Sequence, residues 1–397
     1  MAGNARLLAG LAAAFAVCLV VAGAGSAASL GTYGPLIEHW DGTAWTRVPA
    51  AGPADNLSAV AAVSATDVWA FGTYNINAAV AEHWDGSSWQ QVTMPVPQGT
   101  EEVELEGAAA RSATDVWAVG TQAGSGTNHG YRTLVEHWDG TAWKVVPSPS
   151  PPRGPAQLGG VAVLSPKNAW AVGWYKGPNA LQTLVLHWNG TKWKRVRSPN
   201  PSDPGIRPFD ALSAVAALSA RNVWAVGTYL HRKNRRHSYV TLVLHWNGKH
   251  WKQSTSANPG GVGHLNELDA VAADPAGRLW AAGSYRNGSG SEQPLVERRR
   301  TRGWRDVPAE AAPVPAPQLA LESLAPLAAN DVWAAGTYLD DTRDFAPVAL
   351  VEHWDGHSWT IEPTAHPLEP NGFDALHGIA AVSSTDIWAV GEAGTIG

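Results

Sequence analysis

Residues 134–143 read Leu-Val-Glu-His-Trp-Asp-Gly-Thr-Ala-Trp, and recognisable copies of this stretch recur along the chain. His-Trp-Asp/Asn-Gly followed by a second Trp appears at His39 to Trp45, His83 to Trp89, His137 to Trp143, His187 to Trp193, His245 to Trp251 and His353 to Trp359. A seventh copy, Glu297 to Trp304, keeps the length and the last Trp but carries Arg298, Arg299 and Arg300 where the others have His, Trp and Asp or Asn. A second motif, most often Asp/Asn-Val-Trp-Ala-Val-Gly, has its Trp at Trp69, Trp117, Trp170, Trp224, Trp280, Trp333 and Trp388. The two alternate with a period of about fifty residues, in the range of radial and solenoid repeats. Of the 21 Trp, all but Trp174 fall in repeat positions.

Each repeat carries four strand signals separated by turn residues. In the fourth they are 212–218, 223–229, 241–246 and a strand beginning near Trp251. Ser-Ala-Thr-Asp and its variants link the first two strands through an Asp or Asn that bonds its own backbone, and Trp-Asp-Gly-Thr-Ala-Trp links the last two as a tight hairpin. The first strand is the smallest in side-chain volume, as suits the lining of a narrowing axis, and the large Trp side chains lie further out. The chain opens with the last two strands of a repeat (36–48) and stops after the first two (376–391). Six whole repeats and this composite predict an all-β, seven-bladed β-propeller of four-stranded antiparallel blades, closed by two strands from each terminal region.

Residues 1–28 hold one charge, Arg6, then an apolar run and the small residues Ser26-Ala27-Ala28. They read as a secretory signal peptide cut near Ala27 or Ala28. An uncleaved anchor and a lipoprotein at Cys18 are the competing readings. Cleavage removes the only Cys, so no disulfide framework is expected and stability rests on packing. Residues 29–397 form one expected domain, secreted and monomeric, without a further membrane span. The formal charge of −6 becomes −7 once Arg6 is lost, which argues against general nucleic-acid binding.

The Asp-Val-Trp-Ala-Val-Gly and His-Trp-Asp-Gly-x-x-Trp repeats resemble those of secreted bacterial seven-bladed propellers related in architecture to the kelch and Asp-box groups. The chain lacks the regular Gly-Gly doublet of kelch blades, and its Asp-Gly-x-x-Trp turn is one residue shorter than the Asp-box pattern.

The repeated His residues look like a metal array, but copies on separate blades stand too far apart to share an ion, so no metal or cofactor is expected and the His is read as satisfied between blades. Trp rings burying about 150–250 Å² each contribute at most about 4–6 kcal/mol apiece, a sufficient reason for the repeat without any ligand. Function is therefore expected on the rim opposite the short turns, where the connections vary. There the second strand ends in Tyr74, Tyr175, Tyr229, Tyr285 and Tyr338, with Trp174 beside Tyr175. An aromatic ring at a cavity mouth suits stacking on sugars, and its plain alternative is a cap on the inter-blade core. The same rim carries the basic run 231–237, with Arg232, Arg235 and Arg236 as candidate contacts to an anionic polymer or a protein. The expected function is a secreted, non-enzymatic binding or adhesion module for a glycan, cell-wall polymer or protein. The alternative is a glycosidase or polysaccharide lyase on the same scaffold, with Glu101, Glu102, Asp203, Asp210, Glu267 and Asp374 as candidate carboxyls. A copper-radical oxidase needs a Tyr cross-linked to Cys, absent from residues 29–397, and the convergent Arg set of a sialidase cannot be assembled.

Overall fold

Turn chemistry folds each repeat into antiparallel strands. Asp41 Oδ1 accepts from the backbone N–H of Thr43 (2.8 Å) and Ala44 (3.0 Å), while Gly42 takes φ 97°, where a Cβ is disfavoured. The same turn recurs at Asp85, Asp139, Asn189, Asn247 and Asp355. The computed structural model describes residues 33–395 apart from 76, 125–129, 152–153, 204–207, 234–235, 315 and 366–371, so the segment read as a signal peptide lies outside the described residues.

The strands assemble into seven four-stranded antiparallel sheets, and the only helical piece among the described residues is the 3-10 turn Asp341–Arg343. Each sheet is a blade, numbered here from the first whole repeat. The inner strands are Asn56–Ser64, Thr100–Ser112, Ala156–Ser165, Asp210–Ser219, Asn266–Ala273, Leu319–Ala328 and Gly372–Ser383. Each packs beside the next and the seventh packs beside the first, which closes a ring round a central axis. Blade 7 is the composite: Gly372–Ser383 and Asp386–Thr395 join Tyr33–Trp40 and Trp45–Arg47, with Ile37 opposite Val390. In blade 4 the second and third strands run further than the pattern indicates, as Asn222–Lys233 and Arg236–Trp246. No Gly or Pro interrupts 230–237, so the ladder continues to Lys233 opposite Arg236 through what reads as a loop.

The Trp residues form the seams. Trp69 of blade 1 meets Trp138 (5.0 Å between ring centroids) and, edge-on, Trp143 (5.4 Å) of blade 2. The relation repeats round the ring to the closing seam, where Trp333 of blade 6 meets Trp40 (5.2 Å) and Trp45 (5.9 Å) of blade 7. Blade 5 has Arg299 in place of one ring, and its guanidinium stacks on Trp224 of blade 4 at 5.1 Å. The repeated His is not satisfied between blades, contrary to expectation. It faces the Trp of the neighbouring strand of its own blade, as His137 does Trp117, and this register brings it to the Asp two residues earlier. Asp115 Oδ1 accepts from His137 Nε2 (2.9 Å) and Trp117 Nε1 (2.8 Å). Among the described residues no helix is long and apolar enough to cross a membrane.

Candidate functional site

The Gly of Trp-Ala-Val-Gly decides what faces the axis. Gly72, Gly120, Gly173, Gly227, Gly283, Gly336 and Gly391 each pair with a Leu on the inner strand, and there the register slips by one residue. A Cβ on Gly120 would overlap the carbonyl oxygen of Glu104, so only Gly admits the inner strand at this distance. The slip is a β-bulge, and it leaves the residue after the Leu unpaired and turned to the axis. Those seven residues are Ser58, Glu106, Gly159, Ser213, Asp269, Glu322 and His377, one from each blade.

They ring an axial cavity of about 660 Å³. Inner strands begin at the variable-connection face, so residues before the bulge line the cavity nearer that face, and Val60, Val161, Val215, Val271 and Leu324 line it further in. The polar half includes Asn56, Glu102, Glu104, Gln157 and Glu267 from inner strands and Glu392 from the second strand of blade 7. Tyr33, Tyr131 and Trp174 complete its wall. Among the described residues no Lys or Arg lines it.

The carboxyls are held in unequal states. Glu322 accepts from His377 Nδ1 at 2.8 Å. Burial works against the charged imidazole, but Glu322, Glu392 and Glu106 outweigh it and raise His377 to about 9. Glu106 accepts from Gln157 Nε2 at 3.0 Å, yet burial raises it to about 7. Burial, with Glu106 and Glu102 nearby, raises Glu104 to about 8. Glu267, 7% exposed, and Asp269 are both pushed well up, by burial first and then by neighbouring carboxylates. Ser284 Oγ donates to Glu267 Oε1 at 3.2 Å; Glu267 Oε2 and both oxygens of Asp269 have no protein partner among the described residues. Asn56 Oδ1 and Glu104 Oε2 are likewise buried without one. The wall thus offers protonated carboxyls that can donate, one ion pair, and acceptors left open toward the cavity.

Of the nine residues singled out in the sequence, Trp174 lines this cavity. Neighbours on a strand face opposite sides, so Tyr175 turns into the seam between blades 2 and 3, 8% exposed, with Arg195 stacked on its ring at 4.1 Å. Tyr338 is equally buried, Tyr229 and Tyr285 pack partly buried against seam cores, and Tyr74 is exposed. The five tyrosines therefore do not gather round the cavity. Arg232 and Arg236 are exposed on the blade 4 hairpin, and Arg235 lies outside the described residues. Among the carboxyls proposed from sequence, Glu102 and Glu267 reach the cavity. Asp210 and Asp374 are buried and accept backbone N–H groups from Ser202 (3.0 Å) and Ala349 (2.8 Å), Asp203 pairs with His231 (2.9 Å), and Glu101 is exposed. The bulge ring itself was missed. Its signal is the residue after the Leu in Asn-Leu-Ser-Ala-Val, Glu-Leu-Glu-Gly-Ala and Glu-Leu-Asp-Ala-Val, which varies between neighbours that stay small or apolar.

The fold and this cavity define the chain as a seven-bladed β-propeller with an acid-lined axial site. No family profile and no curated protein matches it by sequence. Among solved structures it is similar to YCF48 bound to D1 peptide, at 14% identity over 91% of this chain and 97% of that one, with a TM-score of 0.51. It is also similar to a polysaccharide lyase, the PL25 ulvan lyase, at 11% identity over 84% and 88% of the two chains, with a TM-score of 0.53. At these identities the likeness is one of fold.

Proposed function

We propose that this propeller is a secreted, monomeric binding module that takes the end of a glycan into its axial cavity from the variable-connection face. The observation that carries the reading is the juxtaposition of Trp174 with unpartnered acceptors on Glu267, Asp269 and Asn56 in one cavity. An indole face packs on the apolar face of a sugar ring, and carboxyls accept from its hydroxyls. A wall that is rich in carboxyls, with no Lys or Arg among its described residues, disfavours uronic acids and favours neutral or amino sugars. Isothermal titration with neutral, amino and uronic oligosaccharides tests this on wild type, Trp174→Ala and Asp269→Asn. Binding of a neutral or amino sugar that both variants weaken supports the reading. Preference for the uronic acid, or binding indifferent to both substitutions, overturns it.

A second reading is favoured by the raised carboxyls beside the Glu322–His377 pair: a glycosidase with a protonated carboxyl as general acid. It requires cleavage of the bound oligosaccharide that Asp269→Asn or Glu322→Gln abolishes while binding persists.

A further inference from the structure

Blade 5 breaks the repeat at the opposite face, in the hairpin where Arg298, Arg299 and Arg300 stand for His, Trp and Asp or Asn. The partner position changes too: Arg278 occupies the place of the Asp or Asn that elsewhere accepts from the His, and it is paired with Asp274 (2.5 Å). Arg298 stacks on Trp280 at 5.0 Å, and burial, then Arg300 and Arg278, disfavour its charge. Arg299 stacks on Trp224; its Nη1 donates to the Gly303 carbonyl oxygen (3.3 Å), while its buried Nε has no partner among the described residues. Across the seam Arg221, on the first turn of blade 4, lies against Gly248. Arg221, Arg299 and Arg300 line a recess of about 430 Å³ together with Asn222, His245 and Asn247, and none of its described lining residues is acidic. Among the described residues these three arginines have no carboxylate partner. Burial and then Arg299 hold His245 toward its neutral form, so it adds no further cation to the group.

Guanidinium groups gathered without counter-charge repel one another, and aromatic stacking on Trp224 fixes Arg299 so that less order is lost there on binding. Their planar N–H forks match tetrahedral oxyanions. We propose that this recess is an anion site for a phosphate- or sulfate-type oxyanion group, held by Arg299 and Arg300 with Arg221 closing from the neighbouring blade. It lies on the face away from the axial cavity's polar half, so its occupancy is independent of the glycan reading.

The test uses the variant Arg298→His/Arg299→Trp/Arg300→Asp, which places in blade 5 the side chains found at these three positions in other blades and so removes the cations. Thermal unfolding of wild type and variant is followed against inorganic phosphate, sulfate and chloride at matched ionic strength, and phosphate affinity is measured by titration calorimetry. General salting effects are common to both proteins. Wild type should show an additional stabilisation by phosphate or sulfate, and the variant should bind roughly tenfold more weakly or worse, as loss of charge-assisted hydrogen bonds implies. Arg221→Ser alone should weaken binding by a smaller factor. Polyphosphate and dextran sulfate arms distinguish which oxyanion, borne on a polymer, is preferred. Equal response to phosphate, sulfate and chloride in wild type, or an unchanged response in the folded variant, overturns the proposal.

Discussion

Glu136 occupies the third strand of blade 2, fully buried, with neither carboxylate oxygen partnered by the protein. At the equivalent position Glu82 accepts from Ala51 N (2.9 Å) and Gly52 N (3.1 Å), and Glu297 from Ser256 Oγ (2.7 Å) and Ala257 N (2.5 Å), tying down the chain that enters each blade. Glu136 has no such task, and Leu186 and Leu244 fill the same place in blades 3 and 4. Burial raises its carboxyl from 4.5 to about 8. A raised value in the folded state means stability that is complete below the unfolded value and is lost as pH rises from 4.5 toward 8. At pH 7 the loss covers about 2.5 pH units, or about 3 kcal/mol at 1.36 kcal/mol per unit. Glu136→Leu should therefore stabilise the protein by about 3 kcal/mol at pH 7, with the gain shrinking below about 1 kcal/mol at pH 5. Urea unfolding of both proteins at the two pH values reads this directly. Glu82→Leu is the contrast, since it orphans two N–H groups and should bring no such gain. A Glu136→Leu effect of the same size at pH 5 and pH 7 would refute the argument, because it would mean that the buried carboxyl is not what pH acts on.

Four other outcomes are expected. Asp115→Ala strands Trp117 Nε1, His137 and Arg111 at once and should cost about 3 kcal/mol in denaturant unfolding, whereas Asp115→Asn should cost about 1 or less, as Asn222 accepts from both His245 and Trp224 Nε1 in its own blade. Gly120→Ala should cost about 3 kcal/mol, since the added methyl meets the Glu104 carbonyl, and a crystal structure of the variant should show the Glu106 bulge displaced. Trp45→Ala opens the closing seam against Trp333 and should lower stability by about 3–5 kcal/mol, visible as a lower denaturant midpoint. The Glu322–His377 pair should be lost as pH climbs past about 9, because His377 is raised above its ordinary value and its stabilisation is present below 6.5; NMR titration of its imidazole follows this, and Glu322→Gln should shift the midpoint downward.

The architecture was legible because it is local and periodic. The Asp-Gly turns, the alternation of the two Trp motifs and the half-repeat at each end are each short-range features, and together they specify seven blades and the composite closure. The Tyr positions show where such reading stops. Tyr175 and Trp174 are adjacent in sequence, yet one belongs to a seam and the other to the cavity, and the pleat assigns them only once the inter-strand register is known. The blade 4 hairpin is a second case: without a breaker between residues 230 and 237 the ladder ran on past the strand signal.

What the sequence by itself determined is the repeat, its turns and its closure, since these depend on backbone preferences and on the volume of Trp at fixed spacing. What only the tertiary structure decided is the axial site. Ser58, Glu106, Asp269, Glu322 and His377 lie far apart in the chain and come together because a one-residue bulge opposite each Trp-Ala-Val-Gly glycine turns them to a common axis. Their charge states follow from that convergence: burial and mutual repulsion act through space, between residues that share no sequence neighbourhood.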